Sequence, residues 1–153
     1  MKEEEILMML MMSSSLLTFL MLLTSKIIFS TEPLIPIMSS DVIGENWNKY
    51  QGHAITVNEN TNYRAVLVQL FRELAMAQAS HNLWAMITGS YIMQDDDGLH
   101  SVSHRKIETL QQHSVSDCMS VVTVWKKENT TNCPRECFNC IDRATKDAVF
   151  ARN

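Results

Sequence analysis

The sequence predicts an all-α domain: a small bundle of three to four short helices with an extended N-terminal arm and two C-terminal disulfides. Three observations lead there. Apolar residues recur at helical spacing between 62 and 79. Four cysteines, an even number, follow an N-terminal apolar run of the kind that directs export. The length of 153 residues, with 46% hydrophobic and 20% charged side chains, suits one folded domain. The formal charge of −4 argues against a nucleic-acid grip, which needs a basic face.

Residues 1–30 read as a signal peptide. Ile6–Leu23 carries no charge, and only Ser13, Ser14, Ser15 and Thr18 interrupt it with polar atoms. The acidic start Lys2-Glu3-Glu4-Glu5 is unusual for a signal, and the length approaches that of a membrane span. An uncleaved anchor over residues 6–29 is therefore the alternative. The segment 31–60 reads as an extended arm. Pro33 and Pro36 oppose helix before them, and Asn46, Asn48, Gly52, Asn58 and Asn60 favour turns. A short strand fits Ala54–Val57, and Trp47 and Tyr50 would hold the arm to a core.

Residues 61–153 form the expected helical, disulfide-stapled domain. Tyr63, Val66, Leu67, Leu70, Phe71 and Leu74 fall on one helical stripe, with Asn60 or Thr61 as N-cap and Arg64, Gln69, Arg72 and Glu73 opposite. Leu83–Met93 reads as a second helical piece, closed by the exposed turn Asp95-Asp96-Asp97-Gly98. Ile107, Leu110, Cys118, Val121 and Trp125 align on a third helix over 104–126. Ser114 is its weak point, and its β-branched end 121–125 also fits a strand. Ile141–Ala151 makes the last helix.

Cys118, Cys133, Cys137 and Cys140 are expected to form two disulfides, and four cysteines allow three pairings. Zinc held by the distal thiols is the weaker reading, because export favours oxidation and the nearest histidine, His113, precedes Cys118. Cys137-Phe138-Asn139-Cys140 before a helix also suggests a thiol-redox pair, but the chain offers no strands after that helix to support one. Asn129-Thr130-Thr131 is an N-glycosylation sequon in a polar loop. Taking Gly98 as the sixth residue of a calcium loop would place Met93 first and His104 twelfth, which cannot ligate as carboxylates do. His100 and His104 share a helical spacing without a zinc motif around them, so no metal site and no cofactor is expected. No nucleophile elbow, P-loop or dinucleotide fingerprint occurs.

The function expected from these features is that of a small secreted, disulfide-bonded glycoprotein that binds a protein partner, as a cytokine-like ligand or a component of extracellular fluid. The partner would be a receptor or surface protein. A membrane is involved only if the N-terminal segment stays uncleaved. A thiol-redox protein using Cys137 and Cys140 is the third alternative.

Overall fold

Cys118-Met-Ser-Val-Val-Thr-Val-Trp125 is rich in β-branched side chains, and it forms the middle strand of a sheet instead of the end of a helix. In the computed structural model, residues 35–45, 48–73, 75–99, 102–126 and 135–152 are described. Their strands are β1 (Met38–Ser39), β2 (Ile43–Glu45), β3 (Asn48–Thr56), β4 (His81–Ile87), β5 (Ile92–Asp95) and β6 (Cys118–Trp125). Their helices are α1 (Tyr63–Glu73), α2 (Val102–Gln112) and α3 (Arg135–Ala151), with a 3₁₀ turn at Ala75–Gln78. The fold is therefore mixed α/β, and the all-α bundle is overturned.

The strands order as β1-β3-β6-β4-β5, with β2 also paired to β3, and every pairing is antiparallel. β6 thus separates β3 from β4, so the β3-to-β4 connection crosses over a strand that arrives last. The register across the middle is Gly52↔Val122↔Leu83 and Ala54↔Ser120↔Ala85. Because side chains alternate along a strand, these residues share one face. That face carries α2 and α3. Tyr50, Leu83, Val122 and Val124 meet Val102, Cys140, Ile141 and Ala144, while Ala54, Ala85, Ile87 and Cys118 meet Ile107, Leu110, Ala148 and Val149. The opposite face, with Ile55, Met119, Val121, Trp84 and Met86, is buried as well. Strands buried on both sides read as unbroken apolar runs, which is why Leu83–Met93 resembles a buried helix in sequence.

The chain divides into two compact units, Met1–Ile35 with Asn62–Gln78, and Pro36–Thr61 with Ala79–Asn153. In the first, α1 follows the expected stripe: Val66, Leu67, Leu70 and Phe71 are buried and Arg72 is exposed. Its cap is Asn62, whose Oδ1 accepts the Ala65 N–H at 3.3 Å, instead of Asn60 or Thr61. Gln69 grips Ile35 from the helix, accepting its N–H at 2.9 Å and donating to its carbonyl at 2.6 Å.

In the second unit, α2 stops where the sequence weakens. Ser114 takes φ 54°, Val115 N–H reaches back to the Leu110 carbonyl at 2.9 Å, and Ser114 N–H to that of Gln111 at 3.0 Å. This is a Schellman end, with Val115 packing beside Leu110. The expected extended arm at 31–60, read with one short strand at Ala54–Val57, supplies three strands. Between β1 and β2, Ser40 exchanges bonds with Gly52, giving N–H to its carbonyl at 2.8 Å and taking its N–H on Oγ at 2.9 Å.

Gly52 is where α3 touches the sheet. A Cβ there would collide with the Ala144 carbonyl, lie 2.6 Å from its carbon and press on Ala148 Cβ at 3.2 Å. Backbone cannot yield as a flexible side chain does. Gly52→Ala should therefore cost about 3 kcal/mol through overpacking. A denaturant titration showing less than about 0.5 kcal/mol of change would mean that α3 does not sit on β3 as described.

Candidate functional site

Ser103, Lys106, Ile107 and Leu110 follow the spacing i, i+3, i+4, i+7, so the inner stripe of α2 includes a lysine. Lys106 is fully buried, and its Nζ donates to the carbonyl oxygen of Ser120 on β6 at 2.5 Å. Ser120 stands between Ala54 and Ala85 in the register, so its neighbours across the sheet are small. Its own Oγ is buried and makes no hydrogen bond. Cys118, two residues earlier on the same face, is a buried free thiol.

Burial governs the ionisation of this cluster. It lowers the Lys106 amine from 10.5 to about 7, opposed by the Cys118 thiolate. It pushes the Cys118 thiol upward, against the pull of Arg152 and Lys106. On the opposite face, His53 falls to about 4 through burial and the charge of Lys106. Its Nδ1 bonds to Ser39 Oγ at 2.8 Å, while Nε2 is buried without a partner. At neutral pH, His53 is therefore the uncharged imidazole.

The aspartate turn is a joint, not the exposed loop expected. Asp96 Oδ1 accepts the Ser103 N–H at 2.6 Å and so caps the start of α2. Asp97, buried at φ 44°, accepts the Asn82 N–H of β4 at 2.8 Å. Asp95 closes the turn by accepting the Asp97 N–H at 2.8 Å. All three carboxylates bind backbone, which leaves them as structural acceptors.

The expected site residues scatter. Cys118 opens β6, whereas Cys137 and Cys140 lie in the first turns of α3, all three buried. Cys137 is disulfide-bonded, whereas Cys118 and Cys140 take part in no disulfide. The two-disulfide framework is thereby overturned: with Cys118 and Cys140 unbridged, four cysteines leave at most one bridge, and the Cys118 side chain is packed in the apolar cluster under α2 and α3. Cys133 and Asn129 lie outside the described residues, as do the signal segment 1–30 and His100. His104 is exposed on α2, 3.5 Å from Glu108. Among the described residues no group of three His, Cys, Asp or Glu could hold a metal ion, and no helix is long and apolar enough to cross a membrane.

Sequence reasoning missed Lys106, Ser120, His53 and Asp97. Only Lys106 left a signal, as the one basic residue on an otherwise small and apolar helical arc.

No family model matches the chain, and neither does any curated protein. Among solved structures, the crystal structure of a hypothetical protein aligns with a TM-score of 0.53 at 14% identity, covering 77% of this chain and 60% of that one. The two chains share the fold, and this chain spans about 60% of the other's length. The two-domain translational regulator Yih1 aligns with a TM-score of 0.47 at 19% identity, over 80% of this chain and 49% of that one.

The buried amine gives stability a defined pH dependence. A lowered folded pKa means that the unfolded chain holds the proton more tightly, so stability rises with pH between the two values. That window runs from about 4 to 6.5 for His53 and from about 7 to 10.5 for Lys106. Cys118 opposes the climb above its ordinary value of 9.0. Lys106→Met should remove the upper climb and stabilise the protein at pH 7 by roughly 2–4 kcal/mol. Unfolding midpoints between pH 5 and 10 check this, and a destabilised variant with an unchanged slope contradicts it.

Proposed function

We propose that the chain is a small secreted glycoprotein that binds an extended segment of a protein partner along the outer edge of β5. The observation that carries the binding mode is the end of the sheet. β5 pairs only with β4 among the described strands, and its Ile92 is an exposed large apolar side chain. An outer strand offers unpaired N–H and C=O groups in a row, which another chain can extend by strand addition. Ile92 would add an apolar contact to that backbone pairing. The buried placement of Lys106, His53 and Asp97 favours binding at the surface over catalysis on a substrate at these groups.

Export is supported by the uncharged run Ile6–Leu23 and by the sequon at Asn129. The length of that run supports a second reading, a membrane-anchored form of the same binding domain, which alkaline extraction of membranes separates from a secreted one. The thiol-redox alternative gains no support, because Cys137 is disulfide-bonded while Cys140 is not, so the two are not a pair, and both are buried.

Ile92→Arg should abolish capture of a partner from extracellular or cell-surface protein while shifting unfolding by no more than about 0.5 kcal/mol. Capture unchanged by this variant would remove β5 from the binding surface. Enzymatic removal of N-glycans should shift the mobility of the protein secreted by eukaryotic cells, but not that of Asn129→Gln. An equal shift in both would place the glycan elsewhere.

A further inference from the structure

The strand-binding reading makes no use of the amine enclosed beneath α2. Lys106 is fully buried, its Nζ has one acceptor, the Ser120 carbonyl at 2.5 Å, and no carboxylate among the described residues pairs with it. Beside that carbonyl, Ser120 Oγ is fully buried with no hydrogen-bond partner. A buried hydroxyl left unpaired costs about 1–3 kcal/mol, so an orphan donor next to a buried amine calls for a ligand that satisfies it. That ligand must react with or accept from both groups, be small, and cross an apolar interior without charge.

We propose that Lys106 is a carbamylation site, at which carbon dioxide adds to the buried amine and the new carboxylate accepts a hydrogen bond from Ser120 Oγ. The lone pair of Nζ attacks the carbon of CO2, forming the N–C bond as one C=O π pair moves onto oxygen. One ammonia-type proton of Nζ then leaves to solvent base, giving R–NH–COO⁻ and H⁺ from R–NH2 and CO2. No oxidant or reductant takes part. Only the neutral amine reacts, and burial keeps a substantial neutral fraction of Lys106 near pH 7. Ser120, whose carbonyl holds the reacting nitrogen, has only the small Ala54 and Ala85 beside it in the register. Surface lysines keep their proton at this pH and are poor competitors. Lys126, lowered by partial burial, is the natural control.

The test uses the full chain with ¹⁵N at the lysine side chains, equilibrated with ¹³C-bicarbonate near pH 7.5 and followed by ¹³C NMR. The proposal expects one lysine carbamate resonance, recognised by its ¹³C–¹⁵N coupling. It should disappear in Lys106→Met and persist in Lys126→Met. Ser120→Ala keeps the amine and the small-residue row, and should lower carbamate occupancy about tenfold through loss of one hydrogen bond to a charged group. A missing resonance in the folded wild type overturns the proposal. So does one that survives Lys106→Met or is lost in Lys126→Met. Should Lys106→Met fail to fold, Ser120→Ala decides alone: unchanged occupancy overturns the assigned site.

Discussion

The backbone of α3 rests directly on the backbone of β3 at Gly52, and the arrangement of the second unit follows from that approach. With no side chain at Gly52, the Ala144 carbonyl and the Ala148 methyl come down onto the strand. A helix seated so low is bound to present small residues, and Ala144, Thr145 and Ala148 are all fully buried. Its larger side chains, such as Ile141 and Val149, then reach past β3 toward the clusters shared with β6 and α2. On the neighbouring strand, the row Ala54–Ser120–Ala85 stays equally small. The space that larger side chains would fill is taken by the stem and amine of Lys106.

A lysine in such a place costs stability, so its retention needs a structural consequence. The amine ties α2 to the middle strand through the Ser120 carbonyl, while the Asp95–Gly98 turn ties the start of the same helix to β4 and β5. The helix is thus fixed at its beginning and one turn further on by polar contacts, and along the rest by apolar packing. Those polar contacts are directional. They set the rotation of α2 about its axis, which apolar packing alone specifies loosely.

The sequence announced some of this and concealed the rest for definable reasons. Helix α1 was legible because its stripe is amphipathic, and α2 was legible for the same reason as the first half of the helix expected over 104–126. The last helix was expected over Ile141–Ala151, but it starts earlier, at Arg135, so Cys137 and Cys140, thought to precede it, lie inside it. β4 was hidden because His81–Ile87 is buried on both faces, leaving no alternation to read. β6 carried β-branched side chains from Val121 to Val124, yet the apolar residues before it continued a helical register, and that periodicity outweighed local propensity. β3 was masked by Gly52, which reads as a turn former in sequence and serves as a close-contact point in the sheet. Of the candidate site, the cysteines were visible as a count, but a count cannot place them. Cys118 lies on the middle strand, its side chain packed unbridged among apolar residues of α2 and α3.

This placement also decides where the chain can meet another molecule. β6 is enclosed in the sheet plane by β3 and β4, and its residues from Cys118 to Val124 are all buried. A macromolecule cannot reach the titratable groups gathered around it. The periphery is where β5 ends the sheet and Met38, Val42 and Ile92 stand exposed, which is why the proposed protein contact is placed there. Edge pairing of this kind depends on backbone hydrogen bonds more than on side-chain identity, so it tolerates a partner of varied sequence. The interior is open only to molecules small and uncharged enough to diffuse through packed side chains. The two proposed modes of engagement are thus separated by size: chains at the edge of β5, and a small neutral gas at the amine of Lys106.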